Sequence, residues 1–264
     1  VFLPLFGLGC GAGLRFFVDQ EQISKTDVIL SGADAGHIAR VLRGKPGDQI
    51  TICDGIGHDY DCVIDLVSPE RVVCAISRVS ESEAEPSVPV TLFLALAKGD
   101  KLELVVQKAV ELGVFEICLF SAARCVVRLD AKDGKKRVER LSRIAYEAAK
   151  QSGRGRIPAV SGPIPFSEML MRAKDGIFCY EGEQKNSLRN ALEAKQRSEI
   201  SLVIGPEGGF ELGEVAAAQA AGLISVTLGP RILRCETAPI CALSAILYHT
   251  DDLSIKPLGV NHLE

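Results

Sequence analysis

The sequence predicts an α/β protein in which a parallel sheet, covered by helices on both faces, follows a smaller β-rich domain. The segment 81–89 is polar, acidic and proline-bearing and has no apolar periodicity, which is typical of a linker. Before it, short β-type runs alternate with turn residues, whereas after it apolar strands alternate with helical patterns. Continuous apolar strands separated by helices indicate a parallel sheet that is buried on both faces.

The predicted first domain covers residues 15–82 and consists mainly of strands. The β-type runs lie at 15–18, 49–53, 59–66 and 71–77, with turns at Asp54-Gly55 and at Ser68-Pro69-Glu70. A helix is expected at 33–43, because apolar residues recur at helical spacing from Ile38 to Leu42 and Gly44 would end it. The pattern predicts a small β-barrel or sandwich that one helix interrupts.

The predicted second domain covers residues 88–252 and alternates strands with helices. Its strands are expected at 90–95, 116–120, 176–180, 200–204 and 225–228, and its helices at 101–112, 135–152, 212–221 and 237–249. Gly113, Gly153 and Gly222 follow three of these helices, where glycine commonly ends a helix.

Composition describes an ordinary globular chain of 264 residues, 47% of them hydrophobic and 24% charged. Nine cysteines without a C-x-x-C pair indicate reduced thiols in a reducing compartment, which predicts a cytoplasmic protein. The four histidines show no ligand-like spacing, so no metal site is expected. No apolar run approaches the roughly 20 residues that span a bilayer, so no membrane partner is expected. Residues 1–14 are expected to come from a misassigned start and 263–264 from cloning.

The net charge of −4 hides an uneven distribution. Residues 1–88 hold 7 basic and 13 acidic side chains, whereas the segment 124–156 holds eleven basic and four acidic ones. An excess of seven positive charges within this segment fits a stripe on the protein that binds the phosphates of a nucleic-acid partner. A solvated helix face with ion pairs such as Glu139 with Arg143 fits it equally well, and the sequence leaves both interpretations open.

Two glycine-rich stretches, "IGPEGGF" at 204–210 and "LGPRILRCETA" at 228–238, are the most informative part of the chain. Each follows an apolar run and precedes a helical pattern, so each is expected at the carboxyl end of a parallel strand, where open α/β sheets bind ligands. Glycines allow the backbone to approach a flat ligand, and Pro206 stiffens the turn. A plain tight turn is the alternative, and neither string matches a nucleotide-phosphate motif.

The second stretch places Arg231 and Arg234 beside the start of a helix, for which Thr237 is a natural cap residue. The two positive charges oppose the positive end of the helix dipole. An anion is therefore expected to compensate them, either Glu207 or Glu236 of the protein or a substrate phosphate.

Six motifs in order along the chain resemble the RsmE family. They are "HIARVLR" at 37–43, "KGDKLELVVQKAVELGV" at 98–114, "RCVVR" at 124–128, "EAAKQSGR" at 147–154, "IGPEGGF" and "LGPRILRCETAP". The resemblance covers nearly the whole chain from Arg15 onward. It implies a bacterial, S-adenosylmethionine-dependent methyltransferase that modifies N3 of a uridine in 16S ribosomal RNA, at position 1498. It also implies a PUA-like β-barrel for RNA, a SPOUT domain with a deep trefoil knot, and a homodimer with sites near the subunit interface.

The resemblance assigns the cofactor to the two glycine-rich stretches and the start of the last helix. The expected cofactor-binding residues are Ile204, Gly205, Pro206, Gly208, Gly209, Leu228, Gly229, Ile232, Leu233, Thr237 and Ala238. Cys235 departs from the commoner family pattern and is interpreted as a tolerated small residue rather than a nucleophile.

Methyl transfer to N3 needs a base, or a cation that stabilises the uracil anion. The expected catalytic residues are Glu207, Arg231 and Arg234, with their individual roles left open. The expected RNA-binding residues are His37, Arg40, Arg43, Arg124, Arg128, Gln151 and Arg154.

Two alternative functions remain. One is another SPOUT methyltransferase that acts on transfer RNA or on ribose hydroxyls, although the 98–114 helix and the preceding β domain favour the uridine-N3 branch. The other is a non-catalytic RNA-binding or ribosome-assembly factor, which would bind no S-adenosylmethionine.

Overall fold

The computed structural model describes residues 15–173 and 175–254, so the expectations for 1–14 and 263–264 lie outside the described residues. The chain forms two compact units. Unit 1 contains the described residues up to Glu85 together with Gly153–Ile157, and unit 2 contains Pro86–Ser152 and the described residues from Pro158 onward. The domain ranges 15–82 and 88–252 stay a prediction, and 153–157, expected in the second domain, clusters with the first unit.

Unit 1 is built on a five-stranded sheet with the order β1-β3-β4-β5-β2. The strands are β1 (Arg15–Phe17), β2 (Asp27–Ser31), β3 (Gln49–Cys53), β4 (His58–Val67) and β5 (Arg71–Glu81). β1 pairs with β3 in parallel, and the other pairs are antiparallel. Helix α1 (Gly32–Gly36) continues into a π-helical turn (His37–Leu42), which confirms the predicted helix near 33–43.

The sequence analysis missed β2 because its apolar residues do not alternate visibly with polar ones. Val28 and Leu30 are buried in the core of unit 1, but the residue between them, Ile29, is 37% exposed. Three consecutive aliphatic residues hide the period of two that identifies a half-buried strand.

The segment Gly153–Ile157 is held in unit 1 by backbone and side-chain contacts. The N–H of Ile157 donates to the carbonyl of Gly55 at 2.9 Å. The N–H groups of Gly155 and Arg156 both donate to Oε1 of Glu85 at 3.1 Å. These bonds satisfy backbone groups that would otherwise lack partners away from water.

Unit 2 contains a six-stranded sheet in which every neighbouring pair is parallel, and this confirms the predicted parallel sheet. Its order is β11-β9-β10-β6-β7-β8. The strands are β6 (Val90–Ala95), β7 (Glu116–Ser121), β8 (Ala159–Pro165), β9 (Ile177–Cys179), β10 (Ile200–Ile204) and β11 (Ile224–Val226). The order brings the carboxyl ends of β9, β10 and β11 side by side.

The helices of unit 2 are α2 (Lys101–Glu111), α3 (Ala131–Ser152), α4 (Phe166–Arg172), α5 (Leu188–Glu193), α6 (Leu212–Ala220) and α7 (Thr237–His249). α3 begins four residues before its predicted start, because Asp130 accepts the N–H of Asp133 at 2.7 Å and thereby caps the helix. The sequence analysis missed β8, α4 and α5. Within the described residues, no helix is long and apolar enough to cross a membrane. The trefoil knot stays a prediction.

Candidate functional site

A cavity of about 560 Å³ opens at the carboxyl ends of β9, β10 and β11 in unit 2. Its volume lies in the range of small-molecule sites, and its position is the one at which open α/β sheets bind ligands. The wall consists of residues 179–181 after β9, 204–209 after β10, 226–235 after β11, and the side chains of Lys101 and Ala238.

The two glycine-rich stretches come together as predicted, since both line this cavity. Ten of the eleven expected cofactor-binding residues line the cavity, as do Glu207, Arg231 and Arg234. Thr237 does not line it. Thr237 is the first residue of α7, and its N–H donates to the carbonyl of Arg234 at 2.9 Å. The function of these residues stays a prediction.

Packing against the aromatic ring of Phe210 holds the 205–209 loop in place. Phe210 is 3% exposed, and its ring centroid lies 4.2 Å from that of Phe178. A Cβ on Gly205 would lie 2.7 Å from the Phe210 ring, so the loop can pass over this ring only without a side chain there. The N–H of Gly209 donates to the carbonyl of Pro206 at 3.0 Å and closes the turn.

Glu207 is bonded to the start of α2 and to the loop before it. Its Oε1 accepts the N–H of Lys98 at 3.1 Å and lies 3.2 Å from Nζ of Lys101. Burial raises the pKa of Glu207, but hydrogen bonds from backbone N–H groups and from Lys101 outweigh burial and bring this pKa below its ordinary value. A carboxylate with a lowered pKa is a weaker base, so this environment favours an anchoring role over proton abstraction.

The two carboxylates expected to compensate Arg231 and Arg234, those of Glu207 and Glu236, form ion pairs with Lys101. Lys101 Nζ lies 3.2 Å from Glu207 and 3.8 Å from Glu236. Both Arg231 and Arg234 are exposed, and neither has a carboxylate within 4.0 Å in the described part of the chain. Neither arginine therefore forms an ion pair with Glu207 or Glu236 within the described residues, although the charge of Arg234 acts on the Glu236 carboxylate. A substrate phosphate stays the other predicted anion.

Cys235 lines the same cavity, and its Sγ donates to Oε2 of Glu236 at 3.3 Å. Burial and, to a smaller extent, the hydrogen bond to Glu236 together raise the pKa of the Cys235 thiol to about 11. A thiol that stays protonated at neutral pH is a poor nucleophile, which agrees with its interpretation as a tolerated small residue.

The sequence analysis missed several lining residues, chiefly Lys101, Tyr180, Glu181 and Thr227. Tyr180 and Glu181 follow β9, which the sequence predicted as a strand. The rule that located the other two loops, that ligands bind where parallel strands end, would have found these residues as well.

Two of the expected RNA-binding arginines lie in unit 2, and one of them, Arg124, contacts the cavity wall. Arg124 is exposed, and its Nη1 donates to the carbonyl of Gly208 at 3.1 Å, within the 205–209 loop. Arg128 is exposed as well, and its Nη2 donates to the carbonyl of Ala123 at 2.8 Å. Gln151 is exposed near the end of α3.

In unit 1, His37, Arg40 and Arg43 are all exposed around the π-helical turn. The ring of His37 lies 6.4 Å from that of Phe16, in an edge-on arrangement. These three side chains are accessible to a partner, and their contact with RNA stays a prediction.

Arg154 requires a correction. Its side chain is 3% exposed, and its Nε donates to Oε1 of Glu85 at 3.2 Å within unit 1. A buried guanidinium that is paired with a carboxylate is not available to an RNA phosphate. Arg154 therefore stabilises unit 1 instead of binding RNA.

The basic segment 124–156 has features of both interpretations that the sequence left open, a solvated helix face and a phosphate-binding stripe. Lys136 pairs with Asp133 along α3 at 3.9 Å, as in a solvated helix face, whereas Arg137 and Arg140 pair with Glu103 of α2 at 3.7 and 2.8 Å. The pair of Glu139 with Arg143 does not form within the described residues. Three exposed cations of α3 have no carboxylate within 4.0 Å in the described ranges and remain available to phosphate: Lys132, Lys135 and Arg143.

Comparison with known families agrees with this geometry. An RNA methyltransferase domain family matches residues 84–247, and an RNA methyltransferase PUA domain family matches residues 30–77. The chain is 38% identical over 248 residues to ribosomal RNA small subunit methyltransferase E of Bacillus subtilis, covering 90% of this chain and 97% of that protein. It is 32% identical to the protein of the same name from Mycobacterium bovis, covering 88% and 90%.

Two solved structures of related proteins hold S-adenosylmethionine. A putative methyltransferase from Legionella pneumophila with that cofactor bound superposes with a TM-score of 0.74 at 30% identity, covering 89% of this chain and 97% of the other. A ribosomal RNA small subunit methyltransferase E from Neisseria gonorrhoeae, bound to the same cofactor, superposes with a TM-score of 0.72 at 29% identity and the same coverage.

Proposed function

The chain belongs to the ribosomal RNA small subunit methyltransferase E family, and from this membership we propose that it methylates N3 of a uridine in 16S ribosomal RNA. It is an S-adenosylmethionine-dependent rRNA methyltransferase. The finer assignment, to N3 and to position 1498, rests on the motif resemblance together with the charge arrangement at the cavity.

The cavity fits S-adenosylmethionine in size and in chemistry. Its 560 Å³ suits a ligand of this size, and the glycines at 205, 208, 209 and 229 on its wall carry no side chain that would keep a flat ligand away from the backbone. When bound, S-adenosylmethionine supplies an electrophilic methyl group on a sulfonium sulfur. The protein residues then have to hold the donor, exclude water and present the uracil nitrogen in line with the methyl group.

The observation that carries the assignment is the pair of arginines on the wall of the cavity, Arg231 and Arg234, for which the described part of the chain supplies no carboxylate within 4.0 Å. The N3–H group of uracil is a weak acid, so the nitrogen becomes nucleophilic only after its proton has passed to solvent water and the resulting anion is stabilised. A guanidinium beside the base provides that stabilisation, and it can also bind the phosphate next to the target nucleotide. We assign these two functions to the two arginines.

Glu207 is assigned the role of anchor for the 205–209 loop, through its bonds to Lys98 and Lys101. Replacing Glu207 by Gln separates this role from that of a base. An anchor predicts a higher dissociation constant for S-adenosylmethionine together with slower methyl transfer. A base predicts an unchanged dissociation constant with slower transfer and a lost acid limb in the pH profile.

RNA binding is assigned to the accessible cations on both units. In unit 2 these are Arg124 and Arg128, together with Lys132, Lys135 and Arg143 of α3. In unit 1 they are His37, Arg40 and Arg43. Gln151 is exposed on the same helix and is assigned a polar contact with the RNA. We also propose that the working form is a homodimer, as the family resemblance implies.

The central experiment incubates the protein with S-adenosylmethionine and small ribosomal subunits from a strain that lacks the corresponding gene, and then identifies methylated nucleosides by mass spectrometry. The proposal expects 3-methyluridine at one position of 16S RNA. Methylation of a ribose hydroxyl or of transfer RNA would assign the protein to another branch of RNA methyltransferases. Cofactor binding without any transfer would contradict the enzymatic assignment.

Arg231→Gln and Arg234→Gln test the arginine assignment. Arg189→Gln on α5 is the matched control, because Arg189 too is exposed and has no ion-pair partner among the residues that the structure describes. The variant that loses the charge beside the uracil anion should have a kcat lower by about 100-fold or more. The variant that loses the phosphate contact should have a higher KM for RNA, and both should bind S-adenosylmethionine as the wild type does. Arg189→Gln should leave kcat, the KM for RNA and S-adenosylmethionine binding unchanged. Equal activity of all three variants would remove the arginines from the mechanism.

A further inference from the structure

A second carboxylate, that of Glu181, lies on the cavity wall between the two glycine-rich loops. It follows β9, and β9 lies between β10 and β11 in the sheet. The loops after β10 and β11 are the two that enclose the methyl donor in the proposed function. Glu181 therefore occupies the middle of the three adjoining strand ends.

The backbone around Glu181 is held in place on both sides. The N–H of Tyr180 donates to the carbonyl of Val226 at 3.0 Å, which ties the residue to β11. The N–H of Glu183 donates to the carbonyl of Tyr180 at 3.2 Å and closes a turn with Glu181 inside it. The side chain of Glu181 consequently projects from a fixed point and needs little reorganisation to bind a ligand.

The Glu181 carboxylate lies directly against the backbone of Gly209 in the 205–209 loop. A Cβ built on Gly209 would come within 2.0 Å of Oε1 and 2.9 Å of Cδ of Glu181. Gly209 adopts a φ of +66°, which disfavours other residues, and the absence of a side chain leaves the space that the carboxylate fills. The loop and the carboxylate are thus fitted to each other.

The two carboxylates of the cavity differ in what they bind. Glu207 accepts hydrogen bonds from Lys98 and Lys101, whereas Glu181 has no hydrogen bond or ion pair within the described residues. A carboxylate held at a ligand cavity without a protein partner has its acceptor capacity left for the ligand.

We propose that the Glu181 carboxylate binds S-adenosylmethionine directly, by accepting hydrogen bonds from polar N–H or O–H groups of the donor. The groups with this chemistry are the hydroxyls of the ribose and the ammonium of the amino-acid part. This inference rests on the proposed function, because it takes the cavity to be the donor site. It makes Glu181 a binding residue that acts before methyl transfer and independently of RNA.

Calorimetric titration of Glu181→Gln and Glu181→Ala with S-adenosylmethionine, without RNA, tests the inference. Hydrogen bonds to a charged group are worth enough to raise the dissociation constant about tenfold to 100-fold when the carboxylate is removed. Glu193→Gln, an exposed glutamate on α5, serves as the control and should bind as the wild type does. Equal thermal unfolding midpoints verify that every variant is folded.

A parallel titration with 5′-methylthioadenosine, which has the ribose but no amino-acid part, identifies the group that Glu181 binds. If the Glu181 variants bind both compounds more weakly, the partner is the ribose. If they bind only S-adenosylmethionine more weakly, the partner is the ammonium. Unchanged binding of both compounds by both variants overturns the inference, whereas failure of the wild type to bind S-adenosylmethionine would instead overturn the proposed function.

Gly209→Ala provides a second, independent measurement through a double-mutant cycle with Glu181→Ala. The added methyl group would displace the carboxylate and raise the dissociation constant in the wild-type background. Its effect should be smaller once Glu181 is alanine, because the carboxylate is then absent, while the backbone strain at Gly209 is the same in both backgrounds. Additive effects of the two substitutions would contradict the proposed contact.

Discussion

Gly205→Ala is the sharpest test of how packing shapes the cofactor cavity. The new Cβ would lie 2.7 Å from one ring carbon of Phe210 and 3.1 Å from two others, well inside van der Waals contact. The ring cannot move away easily, because Phe210 is 3% exposed and lies against Phe178 with a centroid separation of 4.2 Å. Overpacking of this kind costs about 1–3 kcal/mol of unfolding free energy.

Gly213→Ala is the matched control for this substitution. Gly213 lies in α6, no heavy atom lies within 4 Å of its built Cβ, and its backbone is helical. There alanine should stabilise the protein by about 0.5–1 kcal/mol, since glycine is the weaker helix former. The same chemical change is thus expected to have opposite effects at the two positions.

Urea unfolding and calorimetric titration with S-adenosylmethionine measure both consequences. We expect a lower unfolding midpoint and weaker cofactor binding for Gly205→Ala, and a raised midpoint with unchanged binding for Gly213→Ala. If Gly205→Ala unfolds at the wild-type midpoint and binds the cofactor as tightly, the close approach to Phe210 does not shape the loop, and the reasoning is refuted.

Two further predictions concern unit 1. Glu85→Ala removes the carboxylate that pairs with the buried guanidinium of Arg154 and should lower the unfolding free energy by about 3–5 kcal/mol, and an unchanged urea midpoint would contradict this prediction. For Asp54, burial raises the pKa of the carboxyl, but N–H groups of His58 and Ile56 and the His58 ring outweigh burial and bring the pKa below 3.8. Ionised Asp54 therefore stabilises the fold above pH 3.8 and loses this contribution as the pH falls through the lowered pKa. The difference in unfolding free energy between the wild type and Asp54→Asn should accordingly vanish once the pH is below the lowered pKa of Asp54. A difference that persists there would contradict this stabilising role of the ionised carboxylate.

The strands with uniform burial and the loops with unusual residues were predictable from the sequence. β6, β7 and β10 are continuous apolar runs, and the glycine-rich stretches after β10 and β11 identify most of the cavity wall. In each case the information is local, because a few consecutive residues carry the whole signal.

The elements that were missed depend on partners far away in the chain. β8 contains Gly162 and two prolines, which in isolation read as a loop, but it pairs with the buried strand β7. Arg154 stands in a basic segment, and only its pairing with Glu85, 69 residues earlier, shows that it is structural. The sequence could not assign the partner of Glu207 for the same reason, since Lys101 is 106 residues away.

The short piece Gly153–Ile157 means that the first unit is not a contiguous stretch of polypeptide. A fragment that ends at Glu85 would lack the N–H groups of Gly155 and Arg156, which donate to the Glu85 carboxylate. It would also lack the N–H of Ile157, which donates to the carbonyl of Gly55. A transfer of unit 1 to another protein would therefore have to include the five residues Gly153–Ile157 as well. A substitution in Gly153–Ile157 is therefore expected to change the stability of unit 1, although most of that unit lies before residue 86.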